Sequence, residues 1–254
     1  MLLTASLHFL YPVSTARLFG PPLPLSQMPA TLNQLGLPAV LVVGAIFIVW
    51  FVAGNELMRR RGRSLAIWSK RALDPLGGRQ AIQWITLHSF RLEIEGLKPP
   101  FTSGNMTGLV ESWDVPITWL INRLNGRRDM VLVQLALRQQ PIRGIELFRP
   151  RSLLAGDARQ LAVQEGWTTE PFEEFQLAAM PGATPQRLAT ELLAAIGPRR
   201  ADLLRLALRR RGLHLTLALN IPNRQAVQPA ELTGLLQGVA AVALRYATPA
   251  EATD

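Results

Sequence analysis

The chain contains no cysteine, only three histidines and only two lysines among its 254 residues. The missing cysteine excludes disulfides, zinc fingers, iron–sulfur clusters and thiol catalysis. His8, His88 and His214 lie far apart along the chain, so the sequence predicts no metal site and no cofactor. Charged residues make up 18% of the chain and hydrophobic residues 48%, and this apolar content excludes a chain that is disordered throughout.

The positive charge is concentrated in two segments. The formal net charge is +9, from 27 basic and 18 acidic residues. Residues 56–79 hold seven basic and two acidic side chains, and residues 199–211 hold six basic and one acidic, so each segment carries +5. The rest of the chain carries −1, and each basic segment therefore needs its own explanation.

One uninterrupted apolar run, Gly36 to Gly54, predicts a transmembrane helix over 36–55. It has nineteen residues without a strongly polar side chain. At about 1.5 Å per residue such a helix spans roughly 28 Å, close to the thickness of a bilayer core. Pro38 suits a first helical turn and Trp50 suits the far interface. The alternative is a buried core helix, which rarely carries so long an apolar run.

The charges that flank the run predict its orientation. Arg59, Arg60, Arg61 and Arg63 follow it, whereas the 35 residues before it contain Arg17 alone. The positive-inside rule then puts segment 1–35 outside and the C-terminal part in the cytoplasm. Arginine far exceeds lysine, which is more typical of bacteria than of animals, so we expect the plasma (inner) membrane. A further hypothesis starts the chain at Met28.

Residues 56–78 predict a basic juxtamembrane helix. Apolar side chains lie between its cations, which suits a position at the membrane surface in contact with anionic lipid headgroups. The predicted membrane-interface residues are Arg59, Arg60, Arg61, Arg63 and Trp68.

Residues 79–247 predict a cytoplasmic α+β domain, followed by a flexible tail at 248–254. Alternating or apolar patterns predict strands at 82–94, 130–137, 143–148, 172–179 and 213–219, with a weaker candidate at 159–164. Residues 185–196 and 229–246 predict helices. Residues 114–124 fit a strand or a helix, and we favour the strand. The apolar stretch 232–247 predicts a buried core helix in preference to a second span.

The second basic segment, 199–211, predicts an amphipathic helix that ends at Gly212. On a helix, Arg205 and Arg209 share one face because they lie four residues apart. The predicted ligands are an anionic lipid, RNA such as a ribosome surface, or an acidic protein, and the bland alternative is a solvated face. The candidate binding residues are Arg199, Arg200, Arg205, Arg209, Arg210 and Arg211.

No nucleotide-binding loop, zinc-protease motif or nucleophile elbow occurs in the sequence. Glu93 and Glu95 predict a solvated strand face, and His214 predicts a structural histidine on a strand. We therefore expect no catalytic residue, no enzymatic activity and no small-molecule substrate.

Several short motifs resemble the coiled-coil-domain (calumin) subunit of the PAT complex, which assists membrane-protein insertion. They are Leu65-Ala66-x-Trp68, Gly126-Arg127 before Met130–Leu135, Arg149-Pro150, and Leu215–Pro222 before the last helix. The resemblance covers residues 36–247 and implies one span, a cytosolic α+β domain and no catalysis. Residues 1–36 lack acidic side chains, so the family's calcium role is not carried over.

Taken together, the sequence predicts a non-enzymatic single-pass membrane protein that binds other membrane proteins. The favoured role is an accessory factor in membrane-protein insertion or folding, with the ribosome or a translocase among the candidate partners. The alternative is a structural accessory subunit of a respiratory or photosynthetic membrane complex.

Overall fold

A computed structural model describes residues 30–113, 115–124, 128–180, 185–221 and 227–247, with side chains from residue 36 onward. Most of segment 1–35 and the whole of tail 248–254 lie outside the described residues. The described helices are α1 (Ala30–Leu73), α2 (Pro116–Leu124), α3 (Ala155–Gln164), α4 (Pro185–Ile196) and α5 (Pro229–Arg245). The strands are β1 (Arg79–Thr86), β2 (Ser89–Glu95), β3 (Phe101–Leu109), β4 (Met130–Leu137), β5 (Ile145–Phe148), β6 (Thr168–Phe172), β7 (Phe175–Ala179), β8 (Leu203–Leu208) and β9 (Leu215–Asn220). Short 3₁₀ helices cover Asp74–Leu76 and Gly197–Asp202.

The chain divides into two compact units, residues 1–48 and residues 49–254. In the first unit, residues 30–48 are helical, and from Gly36 onward their apolar side chains are exposed. From Gly36, α1 is long and apolar enough to cross a membrane, and among the described residues it is the only helix that is.

The second unit is built on one fully antiparallel sheet of nine strands. The strand order is β1-β2-β3-β4-β9-β8-β5-β7-β6, which leaves β1 and β6 as the two edges. The first four strands are neighbours in space in the order in which they occur in the chain. This α+β architecture confirms the predicted fold class.

One face of the sheet carries the main hydrophobic core. Inward-facing leucines of the central strands pack against α4, α5 and the last turns of α1. Strand β2 shows the alternation that makes this possible, because Phe90, Leu92 and Ile94 are buried while the residues between them are exposed. Glu93 and Glu95 lie on that exposed face, as predicted.

The opposite face is covered in part by α3. Its alanines at 155, 158 and 162 follow helical spacing and pack on Phe148 and Ala178. Small side chains let this helix approach the sheet closely.

Several predicted elements are confirmed. Strands occur at 130–137, 145–148 and 215–220, and α4 covers 185–196. Helix α5 starts at Pro229, and the side chains of Gln228 and Glu231 form a capping box there. Eight of its residues are buried, so the prediction of a core helix at 232–247 is correct.

Other predicted elements were wrong. The stretch 82–94 is not one strand but two, joined by a turn at residues 87–88. The stretch 172–179 is a strand only from Phe175, because residues 173–174 form the turn that joins β6 to β7. Residues 159–164 belong to α3, because Ala155, Ala158 and Ala162 recur at helical spacing and are buried against the sheet. Residues 116–124 form α2 and not the strand that we favoured, because their apolar residues have helical spacing; these are Ile117, Leu120, Ile121 and Leu124. The turn expected at Asn125-Gly126 lies outside the described residues.

The sequence did not predict β3, which contains two glycines. At Gly108 a Cβ atom would overlap the buried ring of Phe90, its cross-strand partner. The glycine therefore leaves the space that the aromatic ring occupies.

We predict that Gly108→Ala lowers the free energy of unfolding by about 1–3 kcal/mol, because the fully buried ring of Phe90 would have to shift. The matched control is Gly156→Ala in α3, where a Cβ atom would meet nothing within 4 Å. That change should be neutral or stabilising by about 0.5–1 kcal/mol. Thermal unfolding in detergent measures both, and equal effects of the two substitutions would contradict the account of β3.

His214 is the structural histidine that the sequence predicted. It is 8% exposed, and its Nδ1 accepts a hydrogen bond of 2.9 Å from the Leu137 N–H. Burial lowers the pKa of His214 below its ordinary value of 6.5. The neutral ring is the form that can accept this bond.

Acidification should therefore destabilise the protein. As pH falls through about 6.5, the unfolded chain takes up a proton at His214 that the folded chain does not, so the free energy of unfolding falls. His214→Asn supplies a non-titrating oxygen at a similar position and should flatten this dependence. Melting curves of both proteins at neutral and mildly acidic pH measure the difference, and parallel profiles would refute it.

Candidate functional site

The basic segment 199–211 does not form the predicted amphipathic α-helix. Gly197 has a φ of 57°, a left-handed conformation, and a 3₁₀ turn then leads into β8. The apolar residues Leu203, Leu206 and Leu208 are buried in the sheet. Sheet burial outweighs the helical spacing of the arginines, so the prediction of an amphipathic helix was wrong.

As a result, the six candidate arginines are spread along a strand. Arg199 and Arg200 precede β8 and Arg210 and Arg211 follow it. The six residues of the strand extend about 20 Å, so the two pairs lie at opposite ends of the sheet. The arrangement provides two separate basic positions rather than one continuous patch.

The first position is largely neutralised. Arg199 bonds to Glu231 at 2.6 Å and lies 3.5 Å from Asp202. Arg200 bonds to Glu174 at 2.5 Å and also contacts Glu173. The Arg199 guanidinium, with a smaller contribution from the Gln228 N–H, holds the pKa of the Glu231 carboxyl below its usual range. These arginines fasten the 3₁₀ turn to α5 and to the β6–β7 turn.

In the middle of the segment, two arginines share one buried carboxylate. Glu146 of β5 is fully buried, with Arg205 Nη2 at 2.5 Å from one oxygen and Arg209 Nη2 at 2.8 Å from the other. The Arg205 side chain is only 9% exposed. Two guanidinium groups on one carboxylate leave this buried cluster with a net charge of +1.

The second basic position borders a cavity of about 360 Å³. Arg210 and Arg211 form no ion pair with any residue that the structure describes, and Arg209 is only half neutralised by sharing Glu146. The indole N–H of Trp167 is buried without a hydrogen-bond partner among those residues. We name this site the arginine cavity; its lining residues are Gln140, Gly144, Leu161, Glu165, Trp167, Met180, Arg209, Arg210 and Arg211.

The arginine cavity has the chemistry of an anion site. Its lining contains three guanidinium groups and one carboxylate, that of Glu165. The planar guanidinium group matches the geometry of carboxylates and phosphates. Leu161, Met180 and the Trp167 ring add apolar wall. The sequence predicted the arginines as binding residues. It did not predict Trp167 and Gln140, which come from other parts of the chain and belong to no motif.

The predicted membrane-interface residues do not all face outward. Arg59, Arg60 and Arg63 are exposed, and Arg60 pairs with Glu56 of its own helix at 2.7 Å. Arg61 instead lies over the ring of Trp113 and 3.9 Å from the buried Glu111. The structure therefore leaves three of the four arginines available to a surface.

Trp68 is a correction to that set. Its ring is 7% exposed in the main core, and its Nε1–H donates to the Val227 carbonyl at 2.9 Å. The ring is buried because this part of α1 packs on the sheet, so Trp68 is not available to a membrane interface.

A cluster of three indoles was missed. The Trp50 Nε1–H donates to the Trp113 carbonyl at 3.0 Å, and the Trp119 ring lies 4.6 Å from the Trp113 ring and 5.9 Å from that of Trp50. Trp50 lies 63 positions before Trp113, so no local pattern joins it to the other two indoles. In the described part of the chain, no group of three or more metal-ligating side chains occurs.

Glu146→Gln should lower the free energy of unfolding by about 3–5 kcal/mol, because it leaves Arg205 buried without its counter-charge. Replacing Glu146 together with Arg205, in Glu146→Leu with Arg205→Leu, should cost less, since only Arg209 then lacks its carboxylate, and that side chain is more exposed than Arg205. Melting temperatures in detergent rank the two variants. A double variant less stable than the single one would contradict this reading of the cluster.

The chain was also compared with known proteins. A scan against protein-family models finds no match, and a search of curated proteins finds none. The resemblance to the PAT complex subunit therefore stays a prediction that rests on the short motifs quoted above.

Proposed function

We propose that this chain is a non-enzymatic, single-pass membrane protein whose folded domain binds other proteins as an accessory factor in membrane-protein insertion or folding. The anchor in this proposal is the apolar part of α1. The domain is the nine-stranded sheet with its helices.

The proposed topology has the N-terminus outside and the domain in the cytoplasm of the plasma membrane. The exposed Arg59, Arg60 and Arg63 follow the apolar run and support this orientation through the positive-inside rule. Because these side chains are held in no buried ion pair, they can contact anionic lipid headgroups.

The single observation that carries protein binding is the arginine cavity. It combines Arg210 and Arg211, which no described carboxylate neutralises, with an indole N–H and an apolar wall. An acidic peptide segment with an apolar side chain complements this combination. The cavity lies at the end of β8 remote from Arg199 and Arg200.

A second candidate is a structural accessory subunit of a respiratory or photosynthetic complex. It is favoured by the apolar side chains of residues 36–48, which are all exposed and could pack on the spans of other subunits. Such packing would not depend on the arginine cavity.

The test is a mild-detergent pull-down of the tagged full-length protein from its native membrane, with mass spectrometry of what co-purifies. We expect insertase, translocase or ribosomal proteins, and we expect Arg210→Gln with Arg211→Gln to release them. The matched control is Arg79→Gln with Arg91→Gln, which removes the same charge from exposed positions on β1 and β2.

The outcomes separate the two candidates. Loss of those partners in the cavity variant, with retention in the control variant, supports the accessory factor. A fixed and salt-resistant set of energy-transducing subunits, unchanged in both variants, would overturn it in favour of the structural subunit, because packed spans do not dissociate with salt.

A further inference from the structure

One end of the domain exposes far more large apolar side chains than its fold requires. They come from the β1–β2 hairpin and from α2 with the residue before it, and their exposed fractions run from 42% to 77%. We call this set the hairpin–α2 surface; its members are Ile82, Trp84, Ile85, Leu87, Val115, Ile117, Leu120, Ile121 and Leu124. Soluble proteins rarely leave so large an apolar area in water.

Helix α2 has the pattern of a helix that lies on an apolar medium. Ile117, Leu120, Ile121 and Leu124 follow the i, i+3, i+4, i+7 spacing and so share one face, yet no residue of the helix is buried. On another side Trp119 packs on the indoles of Trp50 and Trp113. The helix is therefore attached to α1 by its aromatic residue, while its aliphatic face is uncovered.

The β1–β2 hairpin adds a groove that is cationic on one side and apolar on the other. Trp84 packs on Phe90 and lies over Gly62 of α1. Beside it runs a cavity of about 370 Å³, with Arg59 and Arg63 on one wall and Trp84, Ile85 and Leu87 on the other. Cations next to apolar side chains match the junction between a lipid phosphate and its acyl chain.

Both parts of the surface adjoin the end of the apolar run. Trp50 belongs to the run and also to the indole cluster. The α1 positions that meet Trp113, Trp119 or the hairpin lie four residues apart along one stripe; they are Trp50, Gly54, Met58 and Gly62. Four of the chain's six tryptophans lie at this end. Tryptophan is enriched where a membrane protein meets the bilayer interface.

We propose that the hairpin–α2 surface is a lipid-contact site that lies in the interface of the bilayer, with Arg59 and Arg63 binding the phosphates of anionic phospholipids. This proposal rests on the proposed anchoring. It goes beyond anchoring because it gives the folded domain its own contact with lipid. The occupant is lipid because the surface continues an apolar run and its exposed cations lie beside it.

The test uses the absence of cysteine, which allows one NBD label per full-length variant. The labelled sites are Ile117→Cys and Leu87→Cys on the surface, Val43→Cys in the apolar run and Val163→Cys on α3 as the control. Val163 is 78% exposed and Ile117 is 64% exposed, so the control is at least as accessible as the test site. Each variant is placed in nanodiscs of phosphatidylcholine and phosphatidylglycerol, with and without nitroxide-labelled lipid.

We expect the nitroxide lipid to quench emission at Ile117 and Leu87 and to leave Val163 bright, with Leu87 losing quenching when phosphatidylglycerol is omitted. If Val43 is quenched while Ile117 and Leu87 match Val163, anchoring stands and the lipid site is refuted, which leaves the surface to a partner protein. If Val43 is not quenched but Ile117 is, anchoring fails and lipid contact stands. If all four sites are bright, both proposals fail.

Discussion

The packing of residues 58–73 of α1 against the sheet is the contact on which the rest of the second unit depends. Leu65 and Leu73 are fully buried there. Trp68 donates a hydrogen bond to the Val227 carbonyl just before the last helix, and the Thr233 hydroxyl of that helix donates to the Ala72 carbonyl. The first and last helices of the domain are thus held together on one face of the sheet. Because that face of α1 packs in the core, the exposed arginines and the indole contacts of α1 lie on its other faces.

The arginines illustrate how a strongly basic chain avoids one repulsive patch. Arg199 and Arg200 fasten a turn through exposed carboxylates, and Arg205 is held by the buried Glu146. Within segment 199–211, the positive charge that is left lies at the arginine cavity. Four of the six arginines in segment 199–211 thus have carboxylate partners, so the charge that this segment presents to a ligand is smaller than its sequence suggests.

The sequence was informative where one physical preference acted alone. The apolar run, the capped helix at Pro229 and the alternating strands 130–137 and 215–220 were all identified correctly. It failed where tertiary burial competed with local pattern. The arginines of segment 199–211 have helical spacing, but burial of the leucines of β8 makes that part of the segment a strand. Strand β3 was not predicted because it contains Gly108, which leaves room for the ring of Phe90 on the next strand. The arginine cavity and the indole cluster join residues far apart in sequence, so no local pattern could reveal them.

The two edge strands of the sheet differ in how well they are protected against pairing with another chain. Strand β6 is short and contains Pro171, which lacks the N–H that a further strand would need, and Glu170 adds charge. Strand β1 is eight residues long, has no proline, and exposes Ile82 and Trp84. Strand β1 is therefore the edge at which a second chain can extend the sheet, and β6 is not. Under the anchoring proposed above, insertion of the apolar run before two such edges meet would protect the chain from edge-to-edge aggregation.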